Sequence, residues 1–289
     1  MTWLMLGLLA CLPAAAAAAT KLTNADGSTL ELKRPAHSLV TLSPHLAELV
    51  FAAGAGNRLA ATVEFSEYPA EATRIPRIGD AFRLDIEAIL AYRPDLVIAW
   101  DSGTPRAAVT QLRRLGLSVW SVEIREPAEI AGTLLALGEA PGSTETAGAV
   151  AASLDRRLER LALEYNGTEP VRYFYQVDKR PLFTINGEHL ISKGLELCGG
   201  SNIFHGQPGL AFQVAREAVV TANPDVMFAP ALNDAPDPLQ AWRSWPSIGA
   251  VSTDSLFLLP ADKISRATPR WLDSLELACT LLHGSPKQK

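Results

Sequence analysis

A long, uninterrupted amphipathic pattern in the middle of the chain limits what the rest of it can fold into. No proline occurs between Thr144 and Tyr165, and apolar residues such as Val150, Leu154 and Leu158 recur at spacings of three and four. Charged residues occupy the other side, which predicts a helix of about 22 residues, roughly 33 Å long. A helix of that length matches the height of a small domain, so it can join two lobes.

Short apolar runs alternate with helical patterns on both sides of this helix. Before it, the sequence predicts strands at 96–100 and 118–122 with a helix at 105–115 between them. After it, the same alternation restarts with a strand at 171–175. Strands that alternate with helices in this way predict a largely parallel sheet covered by helices on both faces.

The second half of the chain also repeats part of the first. Residues 87–99 align with residues 217–229 without a gap, at an offset of 130 residues (217 minus 87). Each segment predicts a short helix, a Pro-Asp turn and a buried strand, a unit that any α/β protein can repeat. Less general is that Glu87 and Glu217 open the two helices at the same register. We therefore predict two similar α/β lobes, residues 20–142 and 167–289, joined by a single long α-helix at 143–166.

The first 19 residues have the composition of an export signal. An apolar stretch of about ten residues, 3–12, is too short to span a bilayer, and a run of alanines follows it. This order predicts a secretory signal peptide over residues 1–19 and a periplasmic location, although no Lys or Arg precedes Lys21. The segment 8–11 resembles a lipoprotein processing site, so a lipid anchor at Cys11 is the alternative. No later segment is apolar enough to span a membrane.

Two cysteines, Cys198 and Cys279, remain after removal of the predicted leader. In an exported chain an even pair of cysteines predicts a disulfide. The bond would close a loop of 81 residues (279 minus 198). Two buried free thiols are the alternative.

Several function classes lack support in the sequence. The net charge is −5 and Lys and Arg are scattered, so no basic stripe suggests nucleic acid. No nucleophile elbow, zinc-protease motif or phosphate loop occurs, which argues against an enzyme and leaves no catalytic residue to name. The five histidines have no paired metal-ligand spacing, so a zinc-transport protein and a hydrolase are the weaker alternatives. We expect a monomer without a resident cofactor or metal.

Four motifs give the chain a family resemblance. They are Leu42-Ser43-Pro44 with Glu48, the segment 93–100, the segment 195–204 around Cys198, and the segment 266–270. Together they resemble the periplasmic substrate-binding proteins of ABC importers for cobalamin, ferric siderophores and haem, over about residues 39–282. The Cys-Gly-Gly with a partner cysteine near the C-terminus, and the segment 262–266, resemble the cobalamin-binding members most.

This resemblance implies two Rossmann-like lobes joined by a single long α-helix, with a ligand in the cleft between them. The ligand would be cobalamin or a related corrinoid, delivered to a dimeric membrane permease; cobinamide, haem or a ferric siderophore is the alternative. A corrin ring needs broad aromatic walls and a few placed polar groups. The implied wall and polar residues are Phe65, Tyr68, Phe82, Trp100, Phe183, Phe212, Asp262 and Arg266.

The aromatic set departs from the family pattern at three positions. Where cobalamin-binding relatives carry Trp or Tyr, this chain has Phe65, Ala81 and Ala211. The neighbouring Phe82 and Phe212 would have to substitute for the missing rings. The resemblance therefore supports the capture of a ligand more strongly than it supports cobalamin.

Several implied positions have a second interpretation. Trp100 follows a predicted buried strand, where the C-terminal end of a strand opens into a cleft, so we favour ligand contact there. Phe183 and Phe212 suit a plain core equally well. Asp262 and Arg266 also suit a surface ion pair, which would add little stability.

The resemblance gives Glu87 and Glu217 a docking role, in which one exposed carboxylate on each lobe pairs with arginine on the permease dimer. Two carboxylates on similar lobes would complement a two-fold receptor surface. The other interpretation is that each Glu stabilises the start of its helix through the helix dipole. The two interpretations are compatible.

Overall fold

A computed structural model of the protein describes residues 19–80, 82–232 and 235–284. The predicted signal peptide up to residue 18, the alternative lipid site Cys11 and the wall position Ala81 lie outside the described residues. Among the residues described, no helix is both long and apolar enough to cross a membrane.

The first lobe is a hairpin followed by alternating strands and helices. The hairpin strands are β1 (Thr20–Thr23) and β2 (Thr29–Leu32), and the alternating elements are β3 (Leu39–Thr41), α1 (Pro44–Ala52), β4 (Leu59–Ala61), α2 (Ile86–Ala91), β5 (Leu96–Trp100), α3 (Arg106–Arg114), β6 (Val119–Val122) and α4 (Pro127–Glu139). Short 3-10 turns occupy Gly56–Arg58 and Ala70–Arg74. Strands β3 to β6 form a parallel sheet in the order β4-β3-β5-β6. The helix α5 (Thr144–Glu164) follows this lobe.

The second lobe repeats this arrangement with an added antiparallel extension. Its elements are β7 (Val171–Lys179), β8 (Leu182–Ile185), α6 (Leu190–Leu197), β9 (Gly200–Asn202), β10 (Ala211–Gln213), α7 (Arg216–Ala222), β11 (Val226–Ala231), a 3-10 turn (Gln240–Ser244), α8 (Gly249–Ser252), β12 (Leu256–Pro260), α9 (Ala261–Ile264) and α10 (Pro269–Gly284). The parallel strands have the order β9-β7-β11-β12, the same path as in the first lobe. Strands β8 and β10 are antiparallel and extend the sheet beside β7. The prediction of two Rossmann-like lobes joined by one long helix is confirmed.

The long helix α5 is fixed to both lobes. It has 21 residues, and the apolar side predicted from the sequence is buried, including Leu154 and Leu158. It packs against α4 of the first lobe and α10 of the second. Arg157 of α5 forms ion pairs of 2.8 Å with both Asp273 and Glu276 of α10. Because one stiff element touches both lobes, it limits how far they can move apart.

The two Pro-Asp turns have the same structural role in each lobe. The Asp95 carboxylate accepts the backbone N–H of Ser38 at 3.1 Å, just before β3. The Asp225 carboxylate accepts the backbone N–H of Arg172 at 3.1 Å, at the start of β7. In each lobe the turn is thus tied to the first strand of the parallel sheet. The 130-residue repeat predicted from the sequence has a physical basis in these matched hydrogen bonds.

The predicted disulfide between Cys198 and Cys279 is present, and it joins the end of α6 to α10 across 81 residues of chain. Both cysteines are fully buried. His283 of α10 makes a further hydrogen bond to the Cys198 carbonyl. The C-terminal helix is therefore attached to the second lobe both covalently and by hydrogen bonding.

We predict that replacing both cysteines by alanine lowers the free energy of unfolding by about 4 kcal/mol, because the unfolded chain regains the freedom of a loop of this length. Urea denaturation of the oxidised protein and of the double variant measures the difference. As a control, dithiothreitol should destabilise the unaltered protein and leave the double variant unchanged. Superimposable urea curves for the two oxidised proteins would contradict the prediction.

Candidate ligand-binding cleft

The lobes are held together by an ion pair between Glu48 of α1 and Arg270 of α10, called here the interlobe ion pair. Two nitrogens of the Arg270 guanidinium each lie 2.7 Å from a carboxylate oxygen of Glu48. The Thr268 hydroxyl donates a third hydrogen bond of 2.6 Å to the same carboxylate, which is 2 % exposed. Bonding to Glu48 raises the pKa of Arg270 above its ordinary value. A buried carboxylate with this many charged and polar partners is strongly oriented.

Tyr68 and Asp262 complete the surroundings of Arg270. The guanidinium carbon lies 3.8 Å from the centre of the Tyr68 ring, a cation–π contact. The remaining guanidinium nitrogen donates to Asp262 at 2.7 Å. The alternative of a surface ion pair between Asp262 and Arg266 is therefore wrong, because Asp262 pairs with Arg270.

A second interlobe contact lies at Phe65. Arg266 donates a hydrogen bond of 3.1 Å to the Phe65 carbonyl, across 201 residues of chain. Phe65 has a left-handed backbone, with a φ of 64°, and its side chain is 68 % exposed. An exposed aromatic ring in a conformation that such residues rarely adopt is typical of a functional position. Arg266, which donates to the backbone carbonyl of Phe65, is itself partly buried.

A pocket of about 270 Å³ opens between the lobes, and we call it the cleft pocket. Its first-lobe wall includes His45 and Trp100, and its second-lobe wall includes His189, Ala211 and Ser265. Both lobes therefore contribute to one binding surface. The position at the ends of parallel strands is where open α/β sheets bind ligands.

Trp100 is the aromatic wall of the cleft pocket, and its ring is held from two sides. It ends β5 and remains 36 % exposed. The His45 ring packs against it at right angles, with the ring centres 5.3 Å apart. A side chain at Gly103 would overlap the Trp100 ring, so only glycine allows this placement. Trp100 thus lies where β5 ends beside a cleft, as predicted from the sequence, and its contact with a ligand stays a prediction.

His45 and His189 both line the cleft pocket. From the sequence these two histidines were weighed only as metal ligands. Burial is the main reason that the pKa of His45 falls to about 4, and the charge of Arg266 lowers it further. Burial alone lowers the pKa of His189 to about 4. Both imidazoles are therefore neutral near pH 7. The only local signal in the sequence was their position at helix starts, His45 just after Ser43-Pro44 and His189 just before α6.

The two predicted phenylalanines of the second lobe face opposite ways. Phe183 of β8 pairs with Gln213 of β10, so it lies on the same sheet face as Ala211, which lines the cleft pocket. Phe212 lies on the other face, where its ring is edge-on to Phe204 with centres 6.0 Å apart. Because neighbouring strand residues alternate, Phe212 does not substitute for Ala211 in the cleft. That expectation is corrected.

Phe82 does not line the cleft pocket; it lies between Gly79 and Leu84, which form an isolated β-bridge. The Asp80 carboxylate accepts the backbone N–H groups of Phe82 and Arg83, both at 2.7 Å, and so shapes the turn. The Phe82 ring is 81 % exposed. Phe82 is therefore an exposed ring of the first lobe.

A larger cavity of about 550 Å³ lies beside the interlobe ion pair, lined by Glu48, Tyr68, Arg270 and Val150 of α5 among others. Of the predicted wall residues it includes only Tyr68. Most of its lining comes from α1 and the following turns of the first lobe. Residues of both lobes line each cavity, but Trp100 lines only the cleft pocket, so we place the candidate site there despite its smaller volume.

Glu87 and Glu217 occupy matched positions on the surface. Each is the second residue of its helix, α2 and α7, and each side chain is exposed. Helix α2 directly precedes β5 and helix α7 directly precedes β11, two strands that hold equivalent places in the two sheets. Within residues 19–80, 82–232 and 235–284, no group of three or more His, Cys, Asp or Glu side chains is placed to hold a metal ion.

Comparison with known proteins gives a consistent result. A family model described as "Periplasmic binding protein" matches residues 39–263. A vitamin B12-binding protein of Vibrio cholerae serotype O1 is 36 % identical over 255 residues, which cover 88 % of this chain and 92 % of that protein. A vitamin B12-binding protein of Yersinia pestis is 31 % identical over 252 residues, covering 87 % of this chain and 88 % of that protein.

Solved structures give the same fold. The crystal structure of the periplasmic vitamin B12 binding protein BtuF of Vibrio cholerae matches with a TM-score of 0.80 and 35 % identity, covering 88 % of this chain and 99 % of that one. The periplasmic heme binding protein HutB of Vibrio cholerae matches with a TM-score of 0.74 at 18 % identity, covering 86 % and 99 %. At that identity the second likeness concerns the fold alone.

We predict that Glu48→Ala lowers the free energy of unfolding by about 3–5 kcal/mol, because it leaves the Arg270 charge beside an empty, buried position. Urea denaturation measures the change. Glu71→Ala is the matched control, since Glu71 is exposed and lines the cavity next to the ion pair. Its effect should stay within about 0.5 kcal/mol. Equal losses in the two variants would contradict a stabilising role for the interlobe ion pair.

Proposed function

The chain belongs to the periplasmic binding protein family, and from that premise we propose that it captures cobalamin or a closely related corrinoid between its lobes and delivers it to an ABC importer. Two features together support a corrinoid as the ligand. Its relatives at 31–36 % identity are vitamin B12-binding proteins, and the exposed ring of Trp100 lines a cleft pocket to which both lobes contribute. The haem-binding neighbours, at 18–20 % identity, share the fold alone.

The proposed binding surface combines flat apolar walls with a few polar groups. Cobalamin is a broad ring with amide arms, so it needs aromatic contact and placed hydrogen-bonding groups. Trp100 and Phe65 are exposed rings of the first lobe. Phe183 is proposed as the second-lobe ring, because it shares a sheet face with Ala211 of the cleft pocket. Phe82 and Tyr68 are proposed as outer rings of the same wall. Phe212 has no part in the proposed surface.

Arg266 is proposed as the polar contact at the cleft mouth. It donates to the Phe65 carbonyl in the structure, and the same guanidinium has further N–H groups for a ligand carbonyl. Asp262 is held by Arg270 and keeps one acceptor oxygen available at the same edge. These two residues are the polar pair that the family resemblance implied.

Capture needs little movement of the lobes. The interlobe ion pair and α5 hold them in a fixed relation, so the walls are arranged before the ligand arrives. A preorganised site loses less conformational freedom on binding than a flexible one. We propose that closure is limited to side chains and loops at the cleft mouth.

Delivery is proposed to use Glu87 and Glu217, one on each lobe. Their exposure and matched register suit a receptor made of two similar subunits. The family works in the periplasm, and the predicted signal peptide over residues 1–19 is the proposed route there. Lipid attachment at Cys11 is the alternative route to the same compartment.

We predict that the purified protein binds cyanocobalamin and that Trp100→Ala weakens binding by about tenfold or more, equivalent to about 1.4 kcal/mol, because an apolar wall is lost. Titration calorimetry measures the affinity, and visible absorbance retained after desalting confirms capture. Tyr92→Ala is the control, since Tyr92 is a half-exposed ring that lines neither cavity. Absence of cyanocobalamin binding, with binding of haemin or a ferric hydroxamate, would contradict the ligand assignment.

We also predict that the double variant Glu87→Ala with Glu217→Ala binds cyanocobalamin normally but fails to support uptake in cells that depend on the importer. Loss of both carboxylates removes the proposed contacts with permease arginines. The double variant Glu145→Ala with Glu159→Ala, on exposed positions of α5, is the control and should support normal uptake. Normal uptake by the Glu87/Glu217 variant would overturn the docking role.

A further inference from the structure

We propose that His189 is a hydrogen-bond donor of fixed orientation that recognises a carboxamide carbonyl of the ligand inside the cleft pocket. This inference rests on the proposed function, because a corrinoid carries several carboxamide arms. His189 would then contribute to ligand specificity from the second lobe. It is not one of the proposed aromatic wall residues, and it is separate from the polar pair Asp262 and Arg266.

The tautomer of His189 is set by the helix that follows it. His189 is the N-cap of α6, and its Nδ1 accepts the backbone N–H of Ile191 at 3.2 Å. An accepting nitrogen carries no proton, so in the neutral ring the proton is on Nε2. Nε2 has no hydrogen-bond partner in the parts of the chain that the structure describes. The residue therefore offers one N–H group that the protein itself does not use.

The surroundings of His189 favour the neutral ring. Burial lowers the pKa of His189 to about 4, so the imidazole is uncharged near pH 7. The backbone hydrogen bond also holds the ring in one orientation. A neutral, oriented N–H group in a partly buried position suits a neutral carbonyl acceptor.

The charges around the cleft pocket favour a carboxamide over a carboxylate. Three charged side chains line it, namely Glu123, Glu188 and Arg125. Glu123 already accepts two hydrogen bonds from Ser102, and the Arg125 guanidinium is only 3.9 Å from Glu123. A carboxylate arm would thus meet two carboxylates, and the basic groups beside them are already engaged, Arg125 with Glu123 and Lys193 with Glu188 at 3.3 Å.

The size of the pocket is consistent with one arm rather than a whole ligand. Its volume of about 270 Å³ is below the range for complete drug-sized ligands. Trp100 belongs to the facing wall of the pocket. The corrin ring would therefore stay outside the pocket and lie against the Trp100 ring. The arm would then extend inward between Trp100 and His189.

Two substitutions separate the donor of His189 from its capping role. His189→Asn keeps an acceptor at the N-cap but has no group at the Nε2 position. His189→Gln places an amide N–H near the Nε2 position and loses most of the cap. We expect His189→Asn to bind cyanocobalamin about tenfold more weakly at an unchanged melting temperature. We expect His189→Gln to retain affinity within about threefold despite a lower melting temperature.

Titration calorimetry with cyanocobalamin and thermal unfolding by circular dichroism provide the two readouts. His37→Asn is the control, because His37 is exposed in the first lobe and outside the cleft pocket; it should bind like the unaltered protein. Unchanged affinity in His189→Asn, or equal losses in the Asn and Gln variants, would overturn the donor role alone. Absence of binding by the unaltered protein would overturn the proposed function and this inference together.

The carboxamide preference has its own test. The monocarboxylic acids of cyanocobalamin, each with one peripheral amide hydrolysed, are titrated into the unaltered protein. At least one isomer should bind about tenfold more weakly than cyanocobalamin, and this penalty should shrink in Glu188→Gln. Equal affinity for all the isomers and for cyanocobalamin would overturn the preference for a neutral arm.

Discussion

The buried ion pair between Glu48 and Arg270 determines how the two lobes lie against each other, and the rest of the cleft depends on that arrangement. The Glu48 carboxylate is almost fully buried, so its charge requires the Arg270 guanidinium and the Thr268 hydroxyl. Arg270 in turn fixes the Tyr68 ring and the Asp262 carboxylate. One interaction at the lobe boundary therefore orients side chains that belong to three separate segments of the chain.

The long helix α5 and the interlobe ion pair both restrict the movement of one lobe relative to the other. The helix packs on both lobes, with Arg157 bound to two carboxylates of α10, while the ion pair joins α1 directly to the start of α10. Together they leave the cleft open between Trp100 and His189 without relying on the ligand to assemble it. This rigidity suits the proposed delivery, in which Glu87, Glu217 and a filled cleft are presented to one receptor.

The features predicted correctly from the sequence are those that local pattern or simple counting determines. The amphipathic period defined α5, and two remaining cysteines left one disulfide to form, Cys198 with Cys279. What the sequence could not give depends on contacts between distant segments. Glu48 and Arg270 are 222 residues apart, and only the pairing register of β8 with β10 shows that Phe183 and Phe212 face opposite ways. The donor role of His189 likewise required the Ile191 hydrogen bond.

The most direct test of the account is a crystal structure of the protein grown with cyanocobalamin. We expect the corrin ring to lie between the lobes in contact with Trp100 and Phe65, with one amide arm within hydrogen-bond distance of His189 Nε2. The Glu48–Arg270 distances should remain near 2.7 Å. Electron density for the ligand outside the cleft, or lobes separated so that this ion pair is broken, would contradict the account.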